Sequence, residues 1–177
     1  VLAGIPSVVL GFLGMVALAP LVRETLDMPT GLTAFTGSLL LAYMALPTII
    51  SVAEDAIDAV PKEYRDGALA MGATHWQTIW RVVLPSARSG VIMAVMLGIV
   101  RAIGETMVVT IAAGSIANLT LNPLEAVQTM TAYIVQVSLG DTPFGTIEYK
   151  TIFAVGFTLF LLTLVMNIVS QVVLSKF

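Results

Sequence analysis

Four separate segments of this 177-residue chain are long and apolar enough to cross a membrane as helices. A helix needs about 20 mostly apolar residues to span a hydrocarbon core of about 30 Å, where lipid offers the backbone no hydrogen-bond partner. The pattern therefore predicts an all-α, polytopic membrane helix bundle forming a single domain. Pro6 and Pro47 lie inside the first two segments and predict kinks. The segments are roughly Val1–Val22, Leu32–Ala53, Gly90–Ala113 and Ile152–Leu174.

The composition agrees with a membrane protein and excludes several functions. Hydrophobic residues make up 58% and charged residues 11% of the chain, against about 45–50% and about 25% in soluble domains. With a net charge of −3 and both signs scattered, no basic face is available for nucleic acid. The chain has no cysteine and one histidine, His75, which excludes disulfides, thiolate catalysis and a Cys/His metal cluster.

The N-terminal stretch reads as a membrane span rather than as a targeting signal. It starts at Val1 on apolar sequence and lacks the basic region and small-residue cleavage site of a signal peptide. Because the first residue is not Met, we expect the sequence to be a fragment of a longer chain.

The distribution of basic residues predicts the orientation in the membrane. Lys and Arg near spans stay on the cytoplasmic side. The loop 54–89 and the C-terminus carry five of them, against two in the segments 23–31 and 114–151. We therefore expect 54–89 and the C-terminus in the cytoplasm, with 23–31 and 114–151 outside. The five are Lys62, Arg65, Arg81, Arg88 and Lys176, and the two are Arg23 and Lys150.

The outer segment 114–151 contains one helical pattern. In "LEAVQTMTAYIVQVSLG" apolar residues recur at spacings of three and four from Leu124 to Val137, which is typical of an amphipathic helix. We expect it to lie across the outer mouth. The remainder, with Gly140, Pro143 and Gly145, reads as turns.

The inner loop predicts two short helices. Pro61 starts the first, Gly72 interrupts it, a second covers Ala73–Val82, and Leu84–Pro85 redirects the chain into the third span. On the second helix Trp76 and Trp80 are four residues apart and form one aromatic ridge. The ridge is either a contact surface for another protein or a pair of interfacial tryptophans that lie against lipid headgroups. The spacing alone does not choose between them.

This loop resembles the permease subunits of ABC importers. Those permeases carry the pattern E-A-A-x3-G-x9-I-x-L-P in a cytoplasmic loop, and this chain matches its register, with Asp, Gly and Val at three of the seven positions. The resemblance implies a coupling helix that docks in a groove of a separate ATPase subunit, with His75, Trp76 and Trp80 beside the motif. The matching residues are Asp66, Gly67, Ala68, Gly72, Val82, Leu84 and Pro85.

Three further stretches are similar to the phosphate (Pst) type of these permeases, most of all to its C-type subunit: "RAIGETMVVTIAAG", "AGIPSVVLGFLG" and "TLFLLTLVMNIVSQ". The resemblance implies a type I (MetI-like) permease of about six spans, of which these are the last four, in a bacterial or archaeal cytoplasmic membrane. It also implies an A-type permease partner, two ATPase subunits that carry ATP and Mg²⁺, and an external phosphate-binding protein.

Arg101 and Glu105 lie near the middle of the third apolar segment, which would be about 36 Å long as a helix. At four residues apart they share a helix face. A charge at that depth costs about 2.5–3.5 kcal/mol, so the face must line protein or water. The pair is either a structural ion pair or an anion site, in which the planar guanidinium binds a tetrahedral oxyanion.

In the second interpretation Glu105 pairs with Arg101 when the path is empty, and its carboxylate accepts a hydrogen bond from the protonated oxygen of hydrogen phosphate. Sulfate has no such proton near pH 7. Thr106 and Thr110 extend the polar face. Their hydroxyls either donate to a substrate or bond the preceding carbonyls, and we favour the carbonyls.

The main prediction is the transmembrane subunit of an ATP-driven phosphate importer, without catalytic or metal-binding residues of its own. No G-x4-G-K-[ST] loop occurs, so ATP hydrolysis requires another chain. The alternatives are a permease for another oxyanion such as sulfate or molybdate, and an ion-driven anion carrier or channel. An intramembrane enzyme is disfavoured because no span carries paired acids or a Ser–His set.

Overall fold

The computed structural model describes residues 5–176, with side chains described as far as Val173. These residues form an all-α structure, in which the extended pairing consists of a single bridge between Gly114 and Val127. The helical elements are α1 (Ser7–Thr25), α2 (Ala34–Asp58), α3 (Lys62–Ala70), α4 (His75–Ser86), α5 (Arg88–Gly104), α6 (Met107–Ala112), α7 (Met130–Leu139) and α8 (Ile147–Lys176).

Helices α1, α2 and α8 are each long and apolar enough to cross a membrane. Helices α4 and α5, bent by 68° at the residue between them, give a fourth crossing if the pair counts as one broken span. The predicted helix bundle with about four spans is therefore confirmed. Helix α8 begins at Ile147 rather than Ile152, and the predicted start of the first span, Val1–Gly4, lies outside the described residues.

Small residues bring α2 and α5 into close contact. Gly90, Ala94 and Gly98 recur every four residues on α5, and Ala94 is 0% exposed. A Cβ at Gly90 would lie 2.3 Å from the Cβ of Ala56, and one at Gly98 would lie 2.5 Å from Cδ1 of Ile49. Glycine here lets two backbones approach, which is how helices associate in lipid without a hydrophobic driving force.

Helix α6 is the most enclosed element of the bundle. Val108 and Ala112 are both 0% exposed and form a core cluster with Leu10 of α1 and Leu40 of α2. Gly14 of α1 also contacts this cluster, because a Cβ there would lie 2.2 Å from Cδ1 of Leu40. The short helix is therefore held in place by tertiary packing and not by its own length.

Two π-helical segments accommodate prolines within helices. Gly14–Leu18 precedes Pro20 in α1, and Ile79–Val83 precedes Pro85 in α4. Proline removes one N–H and its ring clashes with the carbonyl four residues earlier, so a wider turn before it keeps the helix continuous. Pro6 lies before Ser7 as the N-cap of α1, and the predicted kink at Pro6 is therefore wrong.

The segment 114–151 caps the N-terminus of α2. The amides of Ala34 and Phe35 donate to the carbonyls of Glu125 and Pro123, at 3.0 and 2.7 Å. Helix ends leave such amides without partners inside the helix. Because residues 123–127 make these non-helical contacts, α7 begins at Met130 and not at the predicted Leu124.

Candidate functional site

The third predicted span is broken where its charges lie. Helix α5 ends at Gly104, Glu105 has extended backbone angles (φ −68°, ψ 132°), and α6 begins at Met107. The prediction of one unbroken helix over Gly90–Ala113 is therefore wrong. Glu105 lies beyond the end of α5, so it does not share a helix face with Arg101.

Arg101 is bound to the neighbouring helix. It lies exposed in the last turn of α5, and its Nη1 donates to Oγ1 of Thr48 on α2 at 3.0 Å. Throughout the described residues no ion pair joins Arg101 to Glu105. The expectation that Glu105 is the resting partner of Arg101 is therefore corrected, because the break carries Glu105 off the helix. Sequence analysis missed Thr48, which is 53 residues away in sequence.

The break gives each charge a favourable helix end. Arg101 lies in the last turn of α5, where carbonyls point outward. Glu105 is half-buried just before α6, and its Oε1 lies 3.5 Å from the amide nitrogen of Val108. Cations near a helix C-terminus and anions near an N-terminus gain about 0.3–1 kcal/mol each. The two charges are thus stabilised without pairing with each other.

Side-chain hydroxyls satisfy the backbone at the break. Thr106 Oγ1 donates to the Gly104 carbonyl at 3.3 Å, and Thr110 Oγ1 donates to the Thr106 carbonyl at 2.7 Å. These are the local bonds favoured from sequence, so neither hydroxyl is directed at a substrate here. Thr131 of α7 donates to the Glu105 carbonyl at 2.9 Å. Nothing in the local sequence indicated Thr131, since the two residues are 26 positions apart.

The predicted coupling residues come together in one helical hairpin, α3–α4. Its turn contains Gly72 with φ +85°, a conformation that favours glycine. Helix α4 runs over His75–Ser86 and not Ala73–Val82, because Thr74 and Gln77 form a capping box that sets its start. Asp66, Gly67 and Ala68 lie on α3, and His75, Trp76, Trp80, Leu84 and Pro85 lie on α4.

The hairpin presents an exposed apolar ridge. The rings of Trp76 and Trp80 meet edge to face with centroids 5.6 Å apart, yet the two residues are 68% and 54% exposed. Met71, next to the turn, is 89% exposed. Packing within this chain therefore leaves the ridge free for another surface.

Arg65 ties the hairpin to the membrane helix α2. Its Nη2 donates to the Ile57 carbonyl at 2.7 Å and lies 4.0 Å from Oδ1 of Asp58. A groove of about 440 Å³ between α3 and α4 runs past this contact to His75 and Val83. From the sequence alone, Arg65 is only one of the basic residues of the loop.

Glu125 organises part of the segment 114–151 through hydrogen bonds. Its carboxylate accepts hydrogen bonds from Asn118 Nδ2 at 2.9 Å and Asn122 Nδ2 at 3.2 Å. The Thr120 hydroxyl, followed by these two amides, lowers the pKa of Glu125 below its ordinary value of 4.5. Among the residues that the structure describes, no three His, Cys, Asp or Glu side chains come together as metal ligands.

Sequence comparison places this chain in a known family. Residues 1–177 match the model of the family described as "Binding-protein-dependent transport system inner membrane component". The "Probable ABC transporter permease protein YqgH" of Bacillus subtilis is 38% identical over 92% of this chain and 52% of its own length.

Two phosphate transport proteins are also similar. The phosphate transport system permease protein PstC of Haemophilus influenzae is 31% identical over 99% of this chain and 61% of its own length. The phosphate transport system permease protein PstC 1 of Mycobacterium tuberculosis is 32% identical over 96% of this chain and 56% of its own length. This chain thus spans between half and two thirds of these relatives. No solved structure showed a significant match. The chain belongs to the family of binding-protein-dependent transport system inner membrane components.

Proposed function

We propose that this chain is part of the transmembrane subunit of an ATP-driven importer of inorganic phosphate, of the C-type in a C-type and A-type permease pair. The observation that carries the proposal is Arg101, an exposed arginine at a break in an apolar span. The relatives named as phosphate transport system permeases support the choice of substrate.

Exposure of Arg101 indicates a surface that faces water or another subunit. An arginine left against lipid at membrane depth costs about 2.5–3.5 kcal/mol. Arg101 is exposed when this chain is considered without its partners. Its bond to Thr48 occupies one nitrogen, whereas a guanidinium has five N–H donors in a planar fork. The remaining donors suit a phosphate in the translocation path.

Glu105 supports phosphate over sulfate or molybdate. It lies four positions from Arg101 in sequence and is half-buried at the break. Near pH 7 hydrogen phosphate has one O–H group that can donate a hydrogen bond to a carboxylate, whereas sulfate has no such donor and is repelled by the negative charge. An ion-driven carrier is less well supported, because the hairpin with its exposed tryptophans has no role in one.

The α3–α4 hairpin is the proposed contact with the ATPase. Its Trp76–Trp80 ridge protrudes, and large aromatic side chains are frequent anchors of protein interfaces. Arg65 connects the hairpin to α2, so a force on the hairpin reaches a spanning helix. ATP and Mg²⁺ belong to two ATPase subunits, and a second permease and an external phosphate-binding protein complete the transporter in the cytoplasmic (inner) membrane.

The proposed orientation puts the hairpin and the C-terminus in the cytoplasm and residues 114–151 outside. The chain has no cysteine, so single cysteines at the exposed positions Met71 and Asp141 report on one side each. A membrane-impermeant maleimide added to intact cells should label the cysteine at 141 and leave that at 71 unlabelled. The reverse result would overturn the orientation and the docking role of the hairpin.

Substitution of Arg101 in the assembled transporter tests the proposed substrate path. Arg101→Gln removes the charge and should abolish phosphate uptake, while the complex still assembles with the ATPase. Arg101→Lys keeps the charge but loses the bidentate fork, so uptake should also fall severely. Near-normal uptake by Arg101→Gln in an intact complex would show that the path lies elsewhere.

A further inference from the structure

The Glu105 carbonyl is held by a different helix. In a continuous helix it would accept the amide of Val109, four residues on. Here Thr131 Oγ1 donates to it at 2.9 Å. The Ala102 carbonyl, which would otherwise accept the amide of Thr106, accepts that of Glu105 at 3.3 Å. The Glu105 carbonyl that the break frees is therefore satisfied by a group outside the span.

Thr131 is fixed in position to make this bond. It is 6% exposed, the second residue of α7. The N-cap Thr129 accepts the amide of Ala132 at 3.2 Å and lies 3.1 Å from the Thr131 hydroxyl. A further hydroxyl contact, between Tyr133 and Thr151, joins α7 to α8. The donor to Glu105 is thus anchored outside the span it holds.

A continuous helix through the break would bring the side chains of Arg101 and Glu105 together. In an unbroken helix Arg101 and Glu105 would be four residues apart on one face, where opposite charges meet. In the broken span Arg101 binds Thr48 and Glu105 contacts the first turn of α6. The break is therefore what separates them.

We propose that Thr131 is a positioning residue that keeps the third span broken, so that Arg101 has no acidic partner and its remaining N–H donors can bind an anion. This inference rests on the proposed function of Arg101. Through Thr131, a movement of α7 in the outer segment controls whether the arginine is neutralised by Glu105. The hydrogen bond from Thr131 to the Glu105 carbonyl thus couples the outer segment to the substrate path, without a contact between α7 and the substrate.

The test compares three variants in the complete transporter with its binding protein. Thr131→Val keeps the shape and removes the hydroxyl, whereas Thr131→Ser keeps the hydroxyl. Thr110→Val is the matched control, because it makes the same change in the third span but removes a bond to the Thr106 carbonyl, which still accepts the amide of Thr110 at 3.0 Å. Hydrogen exchange of the amides of residues 105–109 and phosphate uptake with saturating loaded binding protein are measured for each.

Thr131→Val should slow exchange of these amides as the helix forms, and should lower uptake by about tenfold, in line with the loss of one partly buried hydrogen bond. Thr131→Ser and Thr110→Val should resemble the parent. Faster exchange in Thr131→Val would show mere structural support and overturn the inference, as would unchanged exchange or unchanged uptake. If Arg101→Gln is inactive while Thr131→Val transports normally, only this inference fails. If Arg101→Gln transports normally, the proposed function fails.

Discussion

Arg101 Nη1 lies 3.0 Å from Oγ1 of Thr48, so the arginine is oriented by the helix that packs against its own and not by Glu105. Thr48 directly follows Pro47 inside α2, and Gly98, one turn before Arg101, lies against Ile49 of the same helix. Close packing of α2 and α5 therefore sets the reach of the hydrogen bond. Any motion that slides α2 along α5 also changes how Arg101 is held.

Thr48→Val should reduce phosphate uptake without affecting assembly. Valine keeps the shape of threonine but accepts no hydrogen bond, so the guanidinium loses its anchor. Because a hydrogen bond to a charged group contributes roughly 1.5–3 kcal/mol and Arg101 is exposed, we expect the low end, a loss of about tenfold in turnover. Uptake by the reconstituted transporter is the measurement, and Thr48→Ser, which keeps the hydroxyl, should be nearly normal. Equal activity of the two variants would remove Thr48 from the site.

Elements set by neighbouring residues were predictable from the sequence, whereas the geometry of the site was not. The apolar runs indicated the long helices, and Pro61 and Gly72 indicated the hairpin, because both kinds of signal act within a few residues. The break at Glu105 is different. Its surroundings, "GIVRAIGETMVVT", are apolar enough for a continuous helix, and the groups that hold Glu105 and Arg101 in place are Thr131 and Thr48, distant in the chain. Long-range hydrogen bonds leave no local pattern.

Gly72→Val should weaken coupling through the backbone. Gly72 has φ +85°, and a Cβ there would meet no atom within 4 Å, so the expected cost is conformational, about 1–2 kcal/mol for a left-handed residue. Positive φ is least favourable for a β-branched side chain. Valine should therefore shift the turn between α3 and α4. The measurement is the amount of ATPase that co-purifies, together with phosphate-stimulated ATP hydrolysis.

Gly72→Asn is the control for this explanation, since asparagine tolerates positive φ better than other side chains. It should bind the ATPase nearly as well as the parent. If asparagine and valine are equally harmful, the added side chain itself clashes with the docked subunit, and the backbone explanation is wrong.

Acid should loosen the segment 114–151 through Glu125. Hydrogen bonds from Thr120, Asn118 and Asn122 hold the pKa of Glu125 below its ordinary value of 4.5. The stabilisation is therefore complete above about pH 4.5 and is lost as the pH falls through the folded pKa. A fluorophore on a cysteine at the exposed Leu121 should become more mobile over that range, measured by anisotropy. In Glu125→Gln the mobility should be raised at neutral pH and independent of acid; a full acid transition in that variant would assign it to another group.

Two glycines on the same face of α5 should respond differently to the same substitution. A Cβ at Gly90 would lie 2.3 Å from the Cβ of Ala56, which is fixed to its backbone, whereas one at Gly98 would meet Cδ1 and Cγ1 of Ile49, which can turn away. Alanine gains similar helix propensity at both sites, so their difference isolates packing. Overpacking typically costs about 1–3 kcal/mol, and Gly90→Ala should lie toward the upper end. Thermal unfolding in detergent should therefore give a lower midpoint for Gly90→Ala than for Gly98→Ala. Equal midpoints, or the reverse order, would mean that α2 and α5 separate freely enough to absorb a methyl group at Gly90.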